Sequence, residues 1–183
     1  MSTFTAIAFR HLSLTLGAIL ALAILFTPSQ SFAQTTTPAY LACVNKTSLG
    51  ITSCSGDYLI IEGSAPNPTT YTSWPIGTVY TTEAPETQAA YFSCPSKTSF
   101  GIQSCASSYQ IVLGSQPDPN SNISTLIGYV YQTAVAGTEV AYLACTLQTS
   151  FGVSLCSGSY SIIRGSTPSS SVYQSWLIGY VTP

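Results

Sequence analysis

The chain has 183 residues, of which 45% are hydrophobic, 11% aromatic and only 5% charged, and its formal net charge is −2. Because there is no basic excess to neutralise phosphates, neither nucleic acid nor a membrane surface is an expected partner. The supply of aromatic and β-branched residues excludes a disordered chain.

The first 33 residues have the features of a secretory signal peptide. Arg10 and His11 precede an apolar run from Leu14 to Phe26, Pro28 follows it, and the small residue Ala33 ends the segment. The alternative is an uncleaved anchor helix, but the run is shorter than the roughly 20 residues that span a bilayer. We therefore predict cleavage before Gln34 and a secreted protein, extracellular or periplasmic, with no membrane attachment afterwards.

The rest of the chain repeats one stretch three times. AYLACVNKTSLGITSCSGDYLIIEGS begins at Ala39, AYFSCPSKTSFGIQSCASSYQIVLGS at Ala90 and AYLACTLQTSFGVSLCSGSYSIIRGS at Ala141, a constant spacing of 51 residues. Such a period is typical of repeat architectures in which each copy covers the apolar surface of its neighbours. It predicts a lead-in at residues 34–38 and a single β domain at 39–183, with repeats at 39–89, 90–140 and 141–183.

Each copy is expected to form four short strands. In the first copy these are Tyr40 to Cys43, an alternating strand through Leu49 and Ile51, the apolar run Tyr58 to Glu62, and Ile76 to Tyr80. The turn after the first strand is placed at Asn45-Lys46-Thr47. The apolar face of the second strand is expected to be core, and it comprises Leu49, Ile51, Phe100, Ile102, Phe151, Val153 and Leu155.

Two sets of glycines recur at the same place in all copies. Glycines close the third strand and are expected to have a positive φ, namely Gly63, Gly114 and Gly165. A second set lies inside the fourth strand and predicts a bulge or a close backbone approach, namely Gly77, Gly128 and Gly179.

All six cysteines lie after residue 33, two in each copy. In an exported protein they are expected to form disulfides, either within each copy or between neighbouring copies. We favour pairing within each copy: Cys43 with Cys54, Cys94 with Cys105, and Cys145 with Cys156. Zinc is not expected, because the residues after 33 include no histidine.

Closure of the three copies is favoured, because the terminal copies are as apolar as the middle one and an open solenoid needs polar caps. Three four-stranded units of this length over residues 39–183 resemble a β-trefoil, which implies a closed, all-β, pseudo-threefold domain. The Gly-Tyr-Val-Tyr ending and the new Tyr-Leu-x-Cys start are also similar to tandem repeat modules attached to secreted microbial hydrolases. Gln174-Ser175-Trp176 matches the Gln-x-Trp motif of ricin-type lectins once, and no sugar site is transferred from it.

Catalysis is not expected. The chain after residue 33 has no histidine and six carboxylates, and its serines have no base to activate them. Asp57 and Glu62 are five residues apart on a strand, which places them on opposite faces. We therefore predict a non-enzyme that uses no metal and no cofactor.

The aromatic residues of the Pro-rich loops are the predicted binding residues: Tyr71, Trp74, Tyr173 and Trp176. Flat amphipathic rings in a stiff loop suit stacking on sugar faces or on an apolar protein patch. This predicts a lectin-like binding module, monomeric, with a glycan or an extracellular protein as partner. In the alternatives, the tryptophans plug the end of a barrel, and the protein is a structural or protein-interaction domain without a small ligand.

Overall fold

The computed structural model describes residues 34–106 and 108–183, so the predicted signal peptide lies outside the described residues. Residues 34–183 form one compact unit. The described part is all-β, without a helix, as the sequence predicts. It contains ten strands: β1 (Thr36–Ser48), β2 (Ile51–Glu62), β3 (Tyr71–Tyr80), β4 (Thr87–Ser99), β5 (Ile102–Cys105), β6 (Gln110–Leu113), β7 (Asn122–Tyr131), β8 (Glu139–Ser150), β9 (Val153–Arg164) and β10 (Tyr173–Val181).

The strands form three antiparallel units, one from each copy of the repeat. In the first unit β1 lies between β2 and β3, and in the third β8 lies between β9 and β10. In these two copies the predicted second and third strands form one continuous strand, β2 or β9. Its pairing with β1 or β8 has one shift in register and does not end at that point. Only the middle copy divides this strand, into β5 and β6, and so has the four strands predicted.

The predicted position of the first turn is wrong. Asn45, Lys46 and Thr47 lie within β1 and pair with β2, and the chain reverses at Leu49-Gly50 instead. Both turn residues have a positive φ, 51° and 77°, as a two-residue type I′ hairpin requires. The same turn occurs at Phe100-Gly101 and Phe151-Gly152.

The last strands of the three units meet at one end of the molecule. Tyr80 of β3 pairs with Tyr129 of β7, Tyr131 of β7 with Tyr180 of β10, and Thr182 forms a bridge to Thr78 of β3. The inner glycines permit this close approach. A Cβ on Gly77, Gly128 or Gly179 would lie 2.5–2.6 Å from a valine methyl of another unit, and the strand register shifts beside each of them. Both glycine predictions are confirmed, since Gly63, Gly114 and Gly165 have φ of 76–90°.

The core lies where the three units face one another. Its fully buried aliphatic side chains come in equivalent sets from the three copies: Leu41, Leu143, Ile76, Ile127, Ile178, Val79, Val130 and Val181. The predicted closure of the sheet is not confirmed, because the strand path runs from β2 to β9 without joining its two ends.

The disulfides join Cys43 to Cys54, Cys94 to Cys105 and Cys145 to Cys156, so pairing within each copy is confirmed. The Cα–Cα distances of 5.5–5.7 Å fit the usual range. Each bond ties the two strands of a hairpin together at the edge of the core. Disulfides of this kind are typical of an oxidising compartment.

Candidate binding surfaces

Three tyrosines meet at the centre of the units, at the end opposite to the meeting point of β3, β7 and β10. Tyr58, Tyr109 and Tyr160 are buried, with ring centroids 5.4–5.5 Å apart in edge-to-face geometry. Each hydroxyl accepts a hydrogen bond from a backbone N–H of another copy: Tyr58 donates to Tyr109 at 3.3 Å, Tyr109 to Tyr160 at 2.9 Å, and Tyr160 to Tyr58 at 2.8 Å. The three hydrogen bonds form a cycle through all copies.

Burial raises the pKa of all three phenols above the ordinary tyrosine value, and the backbone N–H that each hydroxyl accepts offsets part of this rise. A neutral phenol that accepts a hydrogen bond is therefore the stable form here. The cluster is built for cohesion between the copies and offers no activated nucleophile.

The disulfides surround this tyrosine cluster. Cys43 is paired in register with Tyr58, and Cys145 with Tyr160. Beyond each disulfide the hairpin extends away from the core. We call these extensions the arms, residues 44–55, 95–106 and 146–157, and the rest of residues 34–183 the body. Since the tyrosines contact one another, the three arms leave the body at the same end.

The tips of the arms expose apolar side chains completely. The relative exposure of Leu49 is 100%, that of Phe100 103% and that of Phe151 105%. The prediction that this face is core is wrong: Ile51, Ile102, Val153 and Leu155 are also exposed, because they lie beyond the disulfides, where no neighbouring unit covers the hairpin. Of the nine large hydrophobic side chains exposed in the described residues, eight belong to the arms, and the ninth is Val172.

The tip residues are an unusual choice for their backbone conformation. Leu49, Phe100 and Phe151 have φ of 51–52°, a region in which Asn, Asp or Gly is preferred and a bulky side chain is an outlier. A turn selected only for stability would have Asn-Gly here. The large apolar residues at all three tips therefore indicate a role outside the fold.

Charge is separated between the arms and the body. Lys46 and Lys97 lie in the first two arms, and none of the three arms contains a carboxylate. The carboxylates begin with Asp57, just after the first arm, and the third cation of the described residues, Arg164, forms a 3.1 Å ion pair with Glu139 in the body. The arms thus carry a charge of +2 in an acidic protein.

The placement of the predicted binding aromatics in the Pro-rich loops is wrong, because all four lie in the strands that follow these loops, β3 in the first unit and β10 in the third. Trp74 and Trp176 are half-buried against the core, and each indole packs on a central tyrosine, Tyr58 or Tyr160, with centroids 6.2 Å apart. Tyr71 and Tyr173 are half-buried at the starts of β3 and β10. The structure thus brings each tryptophan to the tyrosine cluster, with part of the indole occupied by that contact.

The middle copy replaces this tryptophan with a different packing. Thr125 occupies the equivalent position, and Phe92, where the other copies have leucine, stacks on Tyr109 with centroids 4.8 Å apart. The phenylalanine fills the space only partly, since a cavity of about 40 Å³ remains between these residues and Ser93. The Ser93 hydroxyl is buried without a hydrogen-bond partner among the described protein groups.

A polar groove of about 330 Å³ lies on the outer side of the middle unit. Tyr91 and Tyr129 line it together with Glu83, Gln88 and Gln132. Its volume is at the lower end of the range for small-molecule sites, and rings beside amide and carboxylate groups match the chemistry of a polyol.

No protein-family model, curated protein or solved structure matches the chain. Within the described ranges, no helix is long and apolar enough to cross a membrane.

Reasoning from sequence missed the arms as a surface. The available signal was the Leu-Gly or Phe-Gly dipeptide in each inter-cysteine segment, with five residues between it and the first half-cystine and three between it and the second. A disulfide between positions 43 and 54 encloses a short hairpin whose turn lies beyond the disulfide, away from the strand residues that form the core.

Proposed function

We propose that this protein is an exported, non-catalytic binding module that docks through the apolar tips of its three arms. The observation that carries the proposal is the complete exposure of Leu49, Phe100 and Phe151. Exposed large hydrophobics concentrated in one region mark interaction sites rather than ordinary surface. The disulfide at the base of each arm joins its two strands, and the tyrosine cluster beneath joins the three copies.

The energetics favour docking over a purely structural role for the tips. Full burial of a leucine or phenylalanine side chain contributes about 1.5–3 kcal/mol. Three tips docked together therefore offer up to about 9 kcal/mol before the cost of association. This free energy is enough for reversible docking, whereas the free energy from burying a single tip is not.

Hydrophobic interaction chromatography of the oxidised protein tests the proposal. Leu49→Ser, Phe100→Ser and Phe151→Ser together should shorten retention strongly, while the melting temperature changes little because the side chains contact nothing buried. The matched control is Val172→Ser, which removes an exposed hydrophobic outside the arms and should leave retention near that of the parent. Equal retention of the triple variant and the parent would exclude the tips as the docking surface.

A second candidate function is carbohydrate binding in the polar groove of the middle unit. Its volume and the pair Tyr91 and Tyr129 favour it. Binding through Tyr71, Trp74, Tyr173 and Trp176 stays a prediction of the same class. A glycan screen on the parent, on Tyr91→Ala and on Trp74→Ala with Trp176→Ala separates the two sites, and unchanged binding in both variants would reject both.

We further propose that the three units form a closed, pseudo-threefold domain of the β-trefoil-like class. The cycle of hydrogen bonds among Tyr58, Tyr109 and Tyr160 and the meeting of β3, β7 and β10 support this architecture. Export through cleavage before Gln34 belongs to the same proposal. Mass measurement of the mature protein, with and without reductant, tests both the cleavage and the absence of free thiols.

A further inference from the structure

We propose that the three arms insert their tips into the surface of a lipid bilayer that carries anionic headgroups. This inference deepens the proposed docking function and depends on it. The composition of the whole chain disfavours a membrane surface as partner, because it adds together charges that the fold separates. Lys46 and Lys97 lie in the arms, whereas all the carboxylates lie outside them.

The apolar surface of the arms has a form that suits a bilayer. This surface is divided among the three tips. Each tip has one fully exposed side chain, and a second exposed side chain, Ile51, Ile102 or Val153, follows it by two residues. A protein partner would need three matching pockets at fixed positions. A bilayer offers an apolar interior at every lateral position, so three separate tips can enter it together without shape matching.

The side chains along each arm are layered by polarity. In the first arm, hydroxyl-bearing residues follow the apolar tip on both strands, with Ser48 and Thr47 opposite Ile51 and Thr52. The other arms repeat this order with Ser99, Thr98 and the amide-bearing Gln103, and with Ser150, Thr149 and Ser154, although in the third arm Leu155 follows this polar band. An apolar end followed by a band of neutral hydrogen-bonding groups matches the order of acyl chains and headgroups in a membrane interface.

The charge of the arms is complementary to that of an anionic surface. Lys46 precedes the tip residue Leu49 by three positions and pairs with Ser53 on the other strand of the arm. Lys97 has the same position in the second arm and pairs with Ser104. Because side chains two residues apart share a face, Lys46 is on the face of Ser48 and Ile51. Its long aliphatic stem can follow the arm while the ammonium group remains at the headgroup level. With no carboxylate in any arm, the approach to an anionic surface is attractive and the acidic body stays outside.

Vesicle flotation tests the inference with the purified oxidised protein. Vesicles of phosphatidylcholine alone are compared with vesicles in which part of this lipid is replaced by phosphatidylglycerol. We expect binding to the mixed vesicles that falls by at least about tenfold when Phe100 and Phe151 are both replaced by serine. Val172→Ser should bind like the parent.

The anionic contribution has its own variant. Lys46→Gln with Lys97→Gln should reduce binding to the mixed vesicles towards the level seen with phosphatidylcholine alone, and added salt should reduce binding of the parent in the same way. Equal binding to both vesicle types, insensitive to salt and to these substitutions, would overturn the anionic specificity.

The remaining outcomes decide the occupant. If the tips dominate chromatographic retention but no vesicle binds, docking stands and the bilayer is rejected in favour of a protein surface. If the parent self-associates in sedimentation and the tip variant does not, the occupant is a second copy and the bilayer is again rejected. If the tips affect neither retention nor flotation, the docking function itself fails.

Discussion

The backbone N–H of Tyr160 donates a hydrogen bond to the hydroxyl of Tyr58 at 2.8 Å, across 102 residues of sequence. With its two counterparts it closes a cycle in which every copy donates to one copy and accepts from another. Because both groups are buried, neither can exchange its partner for water. The copies are therefore held to one another by bonds that an isolated copy cannot make.

Tyr58→Phe should destabilise the protein by about 1–3 kcal/mol, since the ring is kept but the buried N–H of Tyr160 loses its acceptor. Urea unfolding of the oxidised protein measures the loss. Tyr91→Phe is the matched control, because its hydroxyl makes no hydrogen bond with the described residues, and its effect should stay within about 0.5 kcal/mol. Equal losses in the two variants would show that the cycle contributes nothing.

Stability should fall at alkaline pH. Burial raises the pKa of Tyr58, Tyr109 and Tyr160 in the folded state, so the folded protein holds these protons more tightly than the unfolded chain does. The resulting stabilisation is fully present below the ordinary tyrosine pKa of about 10 and is lost as the pH rises through the higher folded values. Urea unfolding at a series of pH values, with tyrosinate absorbance recorded in parallel, checks this. Stability that stays constant or increases while the phenols ionise would contradict it.

Gly128→Ala should be strongly destabilising, by about 3–5 kcal/mol, because φ is 140° and the new Cβ would lie 2.5 Å from a methyl group of Val79. Gly137→Ala is the control: its φ is 81° with no atom within 4 Å, so only backbone strain of about 1 kcal/mol is expected. Adding Val79→Ala to Gly128→Ala should recover part of the loss, and a purely additive double variant would exclude the steric explanation.

A single copy, residues 40–82, should be largely unfolded even when its disulfide is formed. The N–H of Tyr58 has its acceptor in the second copy, and Gly77 packs on Val181 of the third. A segment of this size also buries too little apolar surface to fold alone. Circular dichroism with thermal melting measures this. Cooperative melting of the fragment would mean that the copies are independent.

The sequence predicted those features that depend on covalent spacing or on backbone freedom. The pairing of Cys43 with Cys54 is the favoured one of the two classes that the repeat allows, and the glycine in the last strand of each copy predicts a bulge or a close backbone approach. It did not predict the arms, because alternation at Leu49 and Ile51 is the same for a strand that faces a core and for one that faces solvent. A strand faces the core only where another unit covers that face of it. Periodicity carries no information about whether such a unit is present.

The tyrosine cluster was predictable only in part. The run Tyr58 to Glu62 predicts a fully buried strand, but only Tyr58 is buried there, whereas residues 59–61 are half-buried and Glu62 is exposed. However, the hydrogen-bond cycle depends on how three strands far apart in sequence are arranged around one point. The signal for it was a phenol at the same place in every copy, at the start of a strand whose third and fourth residues are aliphatic each time.

The packing difference between the copies leads to the last prediction. In the first unit Trp74 packs on Tyr58 beside Leu41, whereas in the middle unit Phe92 stacks on Tyr109 beside Thr125. Thr125→Trp alone should be destabilising by about 1–3 kcal/mol, because Phe92 already takes much of the space that an indole needs and the remaining cavity is only about 40 Å³.

Phe92→Leu alone should also be destabilising, because it enlarges that cavity and removes the stacked contact with Tyr109. Together the two substitutions reproduce the arrangement of the first and third units, so the double variant should be more stable than either single variant. Urea unfolding of the four proteins gives the coupling free energy directly. A coupling near zero would mean that Phe92 and Trp74 do not fill equivalent space, and the sequence difference between the copies would then need another cause.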